Sequence, residues 1–251
     1  MKKIIMLMAA LVAAFVAQAK EYVVKSPDGK IVVTVTSGEH VSYSVEREGI
    51  KLLSPSQISM TLIGGYVYGG KDSFKATRRS IDQTIPAKNF KRAQVRDHFN
   101  ELTLSTGTYD IVFRAYDDGV AYRFVARGKA GEFAVAYEQA EFAFPYDYYA
   151  YVPYVAGNKE TFEQQFFTSF ENTYSRHLVT SWQKGKLAFM PVTLEAANGI
   201  KLCITESDLR DYPGMYLCNQ DGKRSLRGVF APNPAQVDQG GATLVQGRVW
   251  L

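Results

Sequence analysis

"ELTLSTGTYDIVFRAYDDGVAYRFVARG", residues 101–128, decides the fold class. Within it "DDG" at 117–119 separates "YDIVFRAY" from "VAYRFVA". Two acids and a glycine between runs rich in Val, Tyr and Phe signal a β-hairpin. The same pattern recurs on both sides. "KIVVTVTSG" sets Ile31, Val33 and Val35 on one face and Val32, Thr34 and Thr36 on the other. "HVSYSVEREG" alternates Val41, Tyr43 and Val45 with Ser42, Ser44 and Glu46. "DG" at Asp28 and "EG" at Glu48 bracket these runs as turns. "ISMTLIG" and "EFAVAYEQAEFAFP" extend the meander, and "KLAFMPVTLEAANGIKLCITES" adds two strands joined at "ANG". A period of two with one apolar face predicts antiparallel sheets half exposed to water. The expected class is all-β, a large two-sheet sandwich, because many strands must pack around one core.

The first nineteen residues read as something other than fold. Lys2 and Lys3 precede the apolar run "IIMLMAALVAAFV", and "AQA" at 17–19 has the form of a cleavage site. This is the grammar of a secretory signal peptide, so residues 20–251 are expected to form one exported domain, periplasmic or secreted. No later run reaches the roughly 20 apolar residues of a spanning helix. Without Lys2 and Lys3 the chain carries 27 basic and 25 acidic residues, too even a balance for a nucleic-acid surface. Cys203 and Cys218 make no disulfide framework; a bridge between neighbouring strands and two separate thiols are both open.

Local motifs supply little chemistry. G-x-S-x-G, H-E-x-x-H and phosphate-loop patterns are absent. His40, His98 and His177 share no metal-ligand spacing, and His98 reads as a polar residue at a strand edge. Asp117 and Asp118 are explained by the hairpin turn. Glu206, Asp208 and Asp211 in "ITESDLRDYPGMYL" follow a strand. Carboxylates there suit a hard cation with oxygen ligands, and equally a turn held by Asp side chains.

The stretch "QQFFTSFENTY", residues 164–174, places Glu171 among Phe166, Phe167, Phe170 and Tyr174. Burying a carboxylate among rings is costly unless it is paired. A hydrogen bond to a Tyr, a pair with Arg176 and a ligand role are all open. Phe166, Phe170 and Tyr174 recur every four residues, which fits one face of a helix or an ordered loop. Abundant Tyr and Phe also leave open a stand-alone carbohydrate-binding sandwich without catalysis.

Taken together, "SPDGKIVVTV", "SPSQISMTL", "FRAYDDGVAYRF", "QFFTSFENTY" and "ITESDLRDYPGMYL" resemble the N-terminal domain of glycoside hydrolase family 97 over about residues 22–241. "QFFTSFENTY" and "CITESDLRDYPGMYL" resemble its retaining α-galactosidase branch more than its inverting α-glucosidase branch. The resemblance implies an exported Bacteroidetes enzyme of three parts: a β-sandwich, a catalytic (β/α)8 barrel and a small β-domain. It implies an Asp nucleophile and a Glu acid/base on the barrel, an oligosaccharide or galactoside substrate, and a Ca2+ beside it. One calcium ligand is implied to come from the N-terminal domain, at the position matched by Glu171. Glu206, with Asp208 beside it, is the competing candidate. The catalytic residues are therefore expected outside this chain, which has no βα alternation and no room for a barrel. "ATLVQGRVWL" at 242–251 does not resemble the family's continuation, so a shortened sandwich with unpaired edges is expected.

Overall fold

The computed structural model describes residues 19–88, 91–127, 134–157, 161–207, 209, 212–232, 234–238 and 241–244, with side chains up to residue 232. Residues 1–18, read as the leader, and Asp208 and Asp211 lie outside these. Eighteen strands and three short 3-10 turns make up the regular structure, and no α-helix occurs among the described residues. In chain order the strands are β1 Lys20–Lys25, β2 Ile31–Ser37, β3 Val41–Arg47, β4 Ile50–Leu62, β5 Val67–Tyr68, β6 Lys75–Pro86, β7 Gln94–Ser105, β8 Tyr109–Ala115 and β9 Val120–Ala126. They continue as β10 Val135–Ala143, β11 Tyr149–Val152, β12 Ser175–Leu178, β13 Val192–Glu195, β14 Lys201–Ile204, β15 Met215–Cys218, β16 Ser225–Phe230, β17 Pro234–Asp238 and β18 Gly241–Leu244. All their pairings are antiparallel.

The expected hairpins form where the turn residues place them. β8 and β9 pair from Ala115 opposite Val120 to Tyr109 opposite Ala126. Glu48 (φ 50°) and Gly49 (φ 77°) turn β3 into β4, and Asn198 (φ 56°) with Gly199 (φ 75°) turns β13 into β14. Left-handed backbone at two successive residues matches the twist of the flanking strands. Asp117, in the β8–β9 turn, accepts from the Asp28 amide at 2.9 Å, so it ties two turns together.

The large sheet runs β1-β2-β3-β4-β10-β16-β15, with β5 on β4. Its first half packs on a sheet ordered β6-β7-β8-β9: Val33, Val35, Tyr43 and Ile58 meet Leu102, Leu104, Ile111 and Phe113. Its second half packs on a sheet ordered β12-β11-β13-β14, where Leu217 and Leu226 meet Ala150, Val152 and Leu194. The sandwich expected from sequence is present, but its second layer comes in two pieces. β17 and β18 pair with each other.

β6 was not legible as a strand. "KATRRSIDQTIP" is polar and mostly exposed. Its twelve-residue register with β7 is lined by cross-strand pairs instead of an apolar face. Arg96 grips Asp82 at 2.7 and 2.8 Å, Gln83 donates to Asp97 at 3.0 Å, and Arg79 grips Glu101 at 2.6 and 3.0 Å. Such pairs stabilise a ladder without an apolar face, and the Glu101 carboxylate is buried between Arg79 and Arg114.

Candidate functional site

Residues 161–174 form a loop around one 3-10 turn, Glu163–Phe166, and not the helix that the aromatic spacing allowed. The aromatic rings and polar side chains pin it individually. Buried Gln165 donates to the Gly185 carbonyl at 3.0 Å and accepts from the Leu187 amide at 2.9 Å. Phe166 meets Tyr216 edge-on at 5.5 Å. Phe170 stacks on Tyr216 at 6.0 Å and meets the edge of Phe189 at 5.7 Å. Asn172 donates to the Tyr154 carbonyl at 2.8 Å and accepts from the Thr173 amide at 2.8 Å. The Asn172 bonds replace the helical ones that continuation to Tyr174 requires.

Glu171 sits between the Phe170 and Asn172 anchors, exposed, with no hydrogen bond or ion pair among the described residues. It is therefore not a core acid. The expected alternative partner, Arg176, is engaged elsewhere. Its guanidinium holds Glu195 at 2.7 and 3.3 Å and lies 3.8 Å from the centre of the Tyr149 ring. Tyr151 also donates to Glu195, at 2.7 Å. The Arg176 bond, followed by that of Tyr151, pulls the Glu195 carboxyl down to about 2. β11 lies between the strands carrying this pair, so no local spacing announces it.

Glu206 is placed differently. Both its carboxylate oxygens accept from the Met215 amide at 2.9 Å, which secures the start of β15. Burial raises its pKa. The bond spans nine residues, so it differs from the local turn held by Asp side chains that the sequence context allowed. Glu171 and Glu206 are not brought together. Glu171's loop packs on Tyr216, whereas Met215, beside Glu206, lines a cavity between the layers. Successive side chains of a strand point to opposite faces.

Sequence reasoning missed Glu138, which lines the same cavity as Glu206. Tyr212 donates to it at 2.6 Å. Burial pushes its carboxyl up to about 7, offset in part by the Tyr212 bond and reinforced by the charge of Glu206. Only its position in "AVAYEQAEF" could have drawn notice, and an acid in an alternating strand is ordinarily on the wet face.

The other polar candidates are structural. His177 bonds the Tyr154 hydroxyl at 2.9 Å and stacks on that ring. His98 stands on β7 beyond the end of the β8 pairing, 3.9 Å from Asp117. Cys218 is buried, Cys203 is exposed, and both are free thiols.

Calcium takes six to eight oxygen ligands. Glu171 offers two at most, and among the described residues no three His, Cys, Asp or Glu side chains converge. The described residues do not form a calcium site by themselves.

The profile of the glycosyl-hydrolase 97 N-terminal family matches residues 24–243. The chain belongs to this family. A curated relative, the "Retaining alpha-galactosidase" of Bacteroides thetaiotaomicron, is 40% identical over 250 residues, covering 98% of this chain and 38% of the relative. The GH97 chain thus spans less than two-fifths of that protein's length. Among solved structures it is similar to a glycoside hydrolase family 97 enzyme from Pseudoalteromonas sp. strain K8, in complex with acarbose. That match has TM-score 0.68 and 20% identity, covering 91% of this chain and 34% of that one. It is also similar to a β-arabinopyranosidase, with TM-score 0.74 and 22% identity, covering 92% and 37%. At these identities the likeness concerns the fold.

Proposed function

We propose that this GH97 domain is part of an exported, calcium-dependent enzyme acting on α-linked galactosides, and that Glu171 lends one carboxylate to the calcium. The observation that carries this reading is the frame around Glu171. Its neighbours Phe170, itself 64% exposed, and Asn172 contact Tyr216, Phe189 and Tyr154, while its own carboxylate is exposed and has no partner among the described residues. A carboxylate held at low entropic cost and left unsatisfied is suited to a ligand from a neighbouring domain. The relative named as a retaining α-galactosidase supports the substrate class. In this reading the two catalytic carboxyls lie on a barrel outside this chain, about 5–5.5 Å apart for a retaining reaction. Residues 1–19 direct export. This chain forms a wall of the site and positions Glu171.

The test is a fusion of residues 20–244 to the part of the Bacteroides thetaiotaomicron relative beyond its matched region. The fusion is expected to hydrolyse an aryl α-galactoside only with Ca2+. Glu171→Gln should raise the Ca2+ needed for half-activity by about tenfold or more, the scale seen when a ligand sphere is weakened. Glu206→Gln should not. A Glu171→Gln fusion with an unchanged calcium requirement refutes the role. The unfused chain is expected to show no turnover.

A further inference from the structure

The outer face of the sheet β6-β7-β8-β9 is unlike an ordinary wet face. Leu102, Leu104, Ile111 and Phe113 point into the core, so the residues that alternate with them point outward. Two of these are buried acids, Glu101 and Asp110, each 5% exposed. A buried carboxylate is costly unless its partners are well placed. Arg79 meets Glu101 through Nε at 2.6 Å and Nη2 at 3.0 Å, and Arg114 adds its Nε at 2.8 Å. Arg127 meets Asp110 Oδ2 through Nε at 2.7 Å and Nη2 at 2.6 Å. Each acid thus fixes a guanidinium by one edge, and Arg79 and Arg127 keep Nη1 uncommitted where they line a pocket of about 350 Å³. Two further groups in that pocket lack a partner. Asp110 Oδ1 is buried and accepts no hydrogen bond among the described residues. Arg123, exposed on β9, has neither a hydrogen bond nor an ion pair among them. Asp110 stands opposite Val125, and Val112 opposite Arg123. Asp110 and Arg123 are therefore diagonal neighbours on one face, a separation of about 7–8 Å in a regular sheet.

We propose that this pocket binds an acidic sugar, a single ring that carries a carboxylate or a sulfate. Arg123 and the Nη1 groups of Arg79 and Arg127 take the oxyanion, and Asp110 Oδ1 accepts from a ring hydroxyl. The ligand must bring both an anion and a donor, because the pocket offers a fork of donors without an acceptor and an acceptor without a donor. Charge decides which donor. Arg79, Arg114, Arg123 and Arg127 stand against Glu101 and Asp110, a surplus of two positive charges. Residues 20–251 as a whole carry the same surplus, 27 basic against 25 acidic, so the excess of the chain is concentrated here. An ammonium group is repelled by it, whereas a hydroxyl is not. Thr77 and Thr103 line the same pocket and add hydroxyls for other ring positions. At about 350 Å³ the pocket is at the small end of ligand sites, the size for one ring. The site lies wholly between residues 77 and 127, shares no residue with the Glu171 loop and does not depend on the calcium reading.

Calorimetry on residues 20–251 at low ionic strength, where screening is weak, tests it with galacturonate, galactose and sodium sulfate. Galacturonate should give saturable heat in the millimolar range or tighter, and galactose, which differs only in lacking the carboxylate, should give none. Sulfate should bind at least about tenfold more weakly than galacturonate, since it brings no ring hydroxyl. Arg123→Ala should weaken galacturonate by about tenfold or more, the scale of a hydrogen bond to a charged group, with an unchanged thermal melt. If its melt falls, Arg123→Lys, which keeps the charge and loses the planar fork, is read in the same way. Lys51→Ala removes an equal charge from an exposed position on β4 and should leave binding unchanged. Absence of saturable heat with galacturonate overturns the proposal, as does unchanged binding in the folded Arg123 variant. Sulfate that binds as tightly as galacturonate reduces the pocket to an oxyanion site without sugar recognition and also overturns it.

Discussion

Glu138→Gln isolates the cost of one acid in the interlayer cavity. In the folded chain the Glu138 carboxyl is half-buried and titrates at about 7 against an ordinary 4.5, first because of burial. The folded state therefore holds a proton between these values that the unfolded chain has released. The stabilising effect is complete below pH 4.5 and is lost as pH rises through about 7. At about 1.4 kcal/mol per pH unit, the whole window is worth about 3 kcal/mol as an upper limit. Gln is neutral throughout and its carbonyl can still accept from Tyr212, so the variant keeps the shape and loses the titration. Thermal unfolding of both proteins between pH 4 and 8 is the assay. The unmodified chain should lose at most about 6–12 °C of Tm relative to Glu138→Gln across the window, given about 2–4 °C per kcal/mol at this size. Glu206→Gln should shift the midpoint of that loss downward in buffer pH terms, because the Glu206 charge raises Glu138. Parallel Tm curves for Glu138→Gln and the unmodified chain would refute the reasoning, since no buried titration would then distinguish them.

Three other outcomes follow from named contacts. Tyr109→Phe removes a fully buried hydroxyl that donates to Asp72 at 2.5 Å and accepts from the buried Gly69 amide at 2.8 Å; urea unfolding should show a loss of about 1–3 kcal/mol for the amide left without a partner. Arg176→Ala should let the Glu195 carboxyl rise from about 2 toward 4.5, read by carboxyl carbon shifts in an NMR titration. In the unmodified chain the stability drawn from that pair is present above 4.5 and lost as pH falls through about 2. Calorimetry with galactosides on the isolated chain should give no heat at millimolar sugar; saturable heat would favour an independent carbohydrate-binding module.

Much of the fold was legible because it is written in local pattern. The alternation of Ile31, Val33 and Val35, and of Val41, Tyr43 and Val45, fixes which face is buried, since a slip of one residue would turn every apolar side chain into water. Turn chemistry at Glu48-Gly49 and Asn198-Gly199 fixes where strands reverse. β6 escaped because its ladder is stabilised by Arg, Asp, Gln and Glu pairs that carry no apolar rhythm. The aromatic spacing of 166, 170 and 174 fitted a helix face or an ordered loop; the structure has the loop, in which Phe166 and Phe170 both pack on Tyr216 and the Tyr174 hydroxyl donates to the Pro191 carbonyl.

The sequence by itself determined an all-β antiparallel domain, its main hairpins and its family, because strand period, turn conformation and motif wording are local properties. Only the tertiary structure decided what each acid does. Glu171 is exposed beside rings that pack on Tyr216 and Phe189. Glu206 serves the Met215 amide, Glu195 takes Arg176, and Glu138 is raised to about 7 in the cavity. It also decided that the second layer is split between β9 and β14. The physical reason is the same in each case. A carboxylate's partners and burial, like a strand's second neighbour, are set by residues tens of positions away, and no local period encodes them.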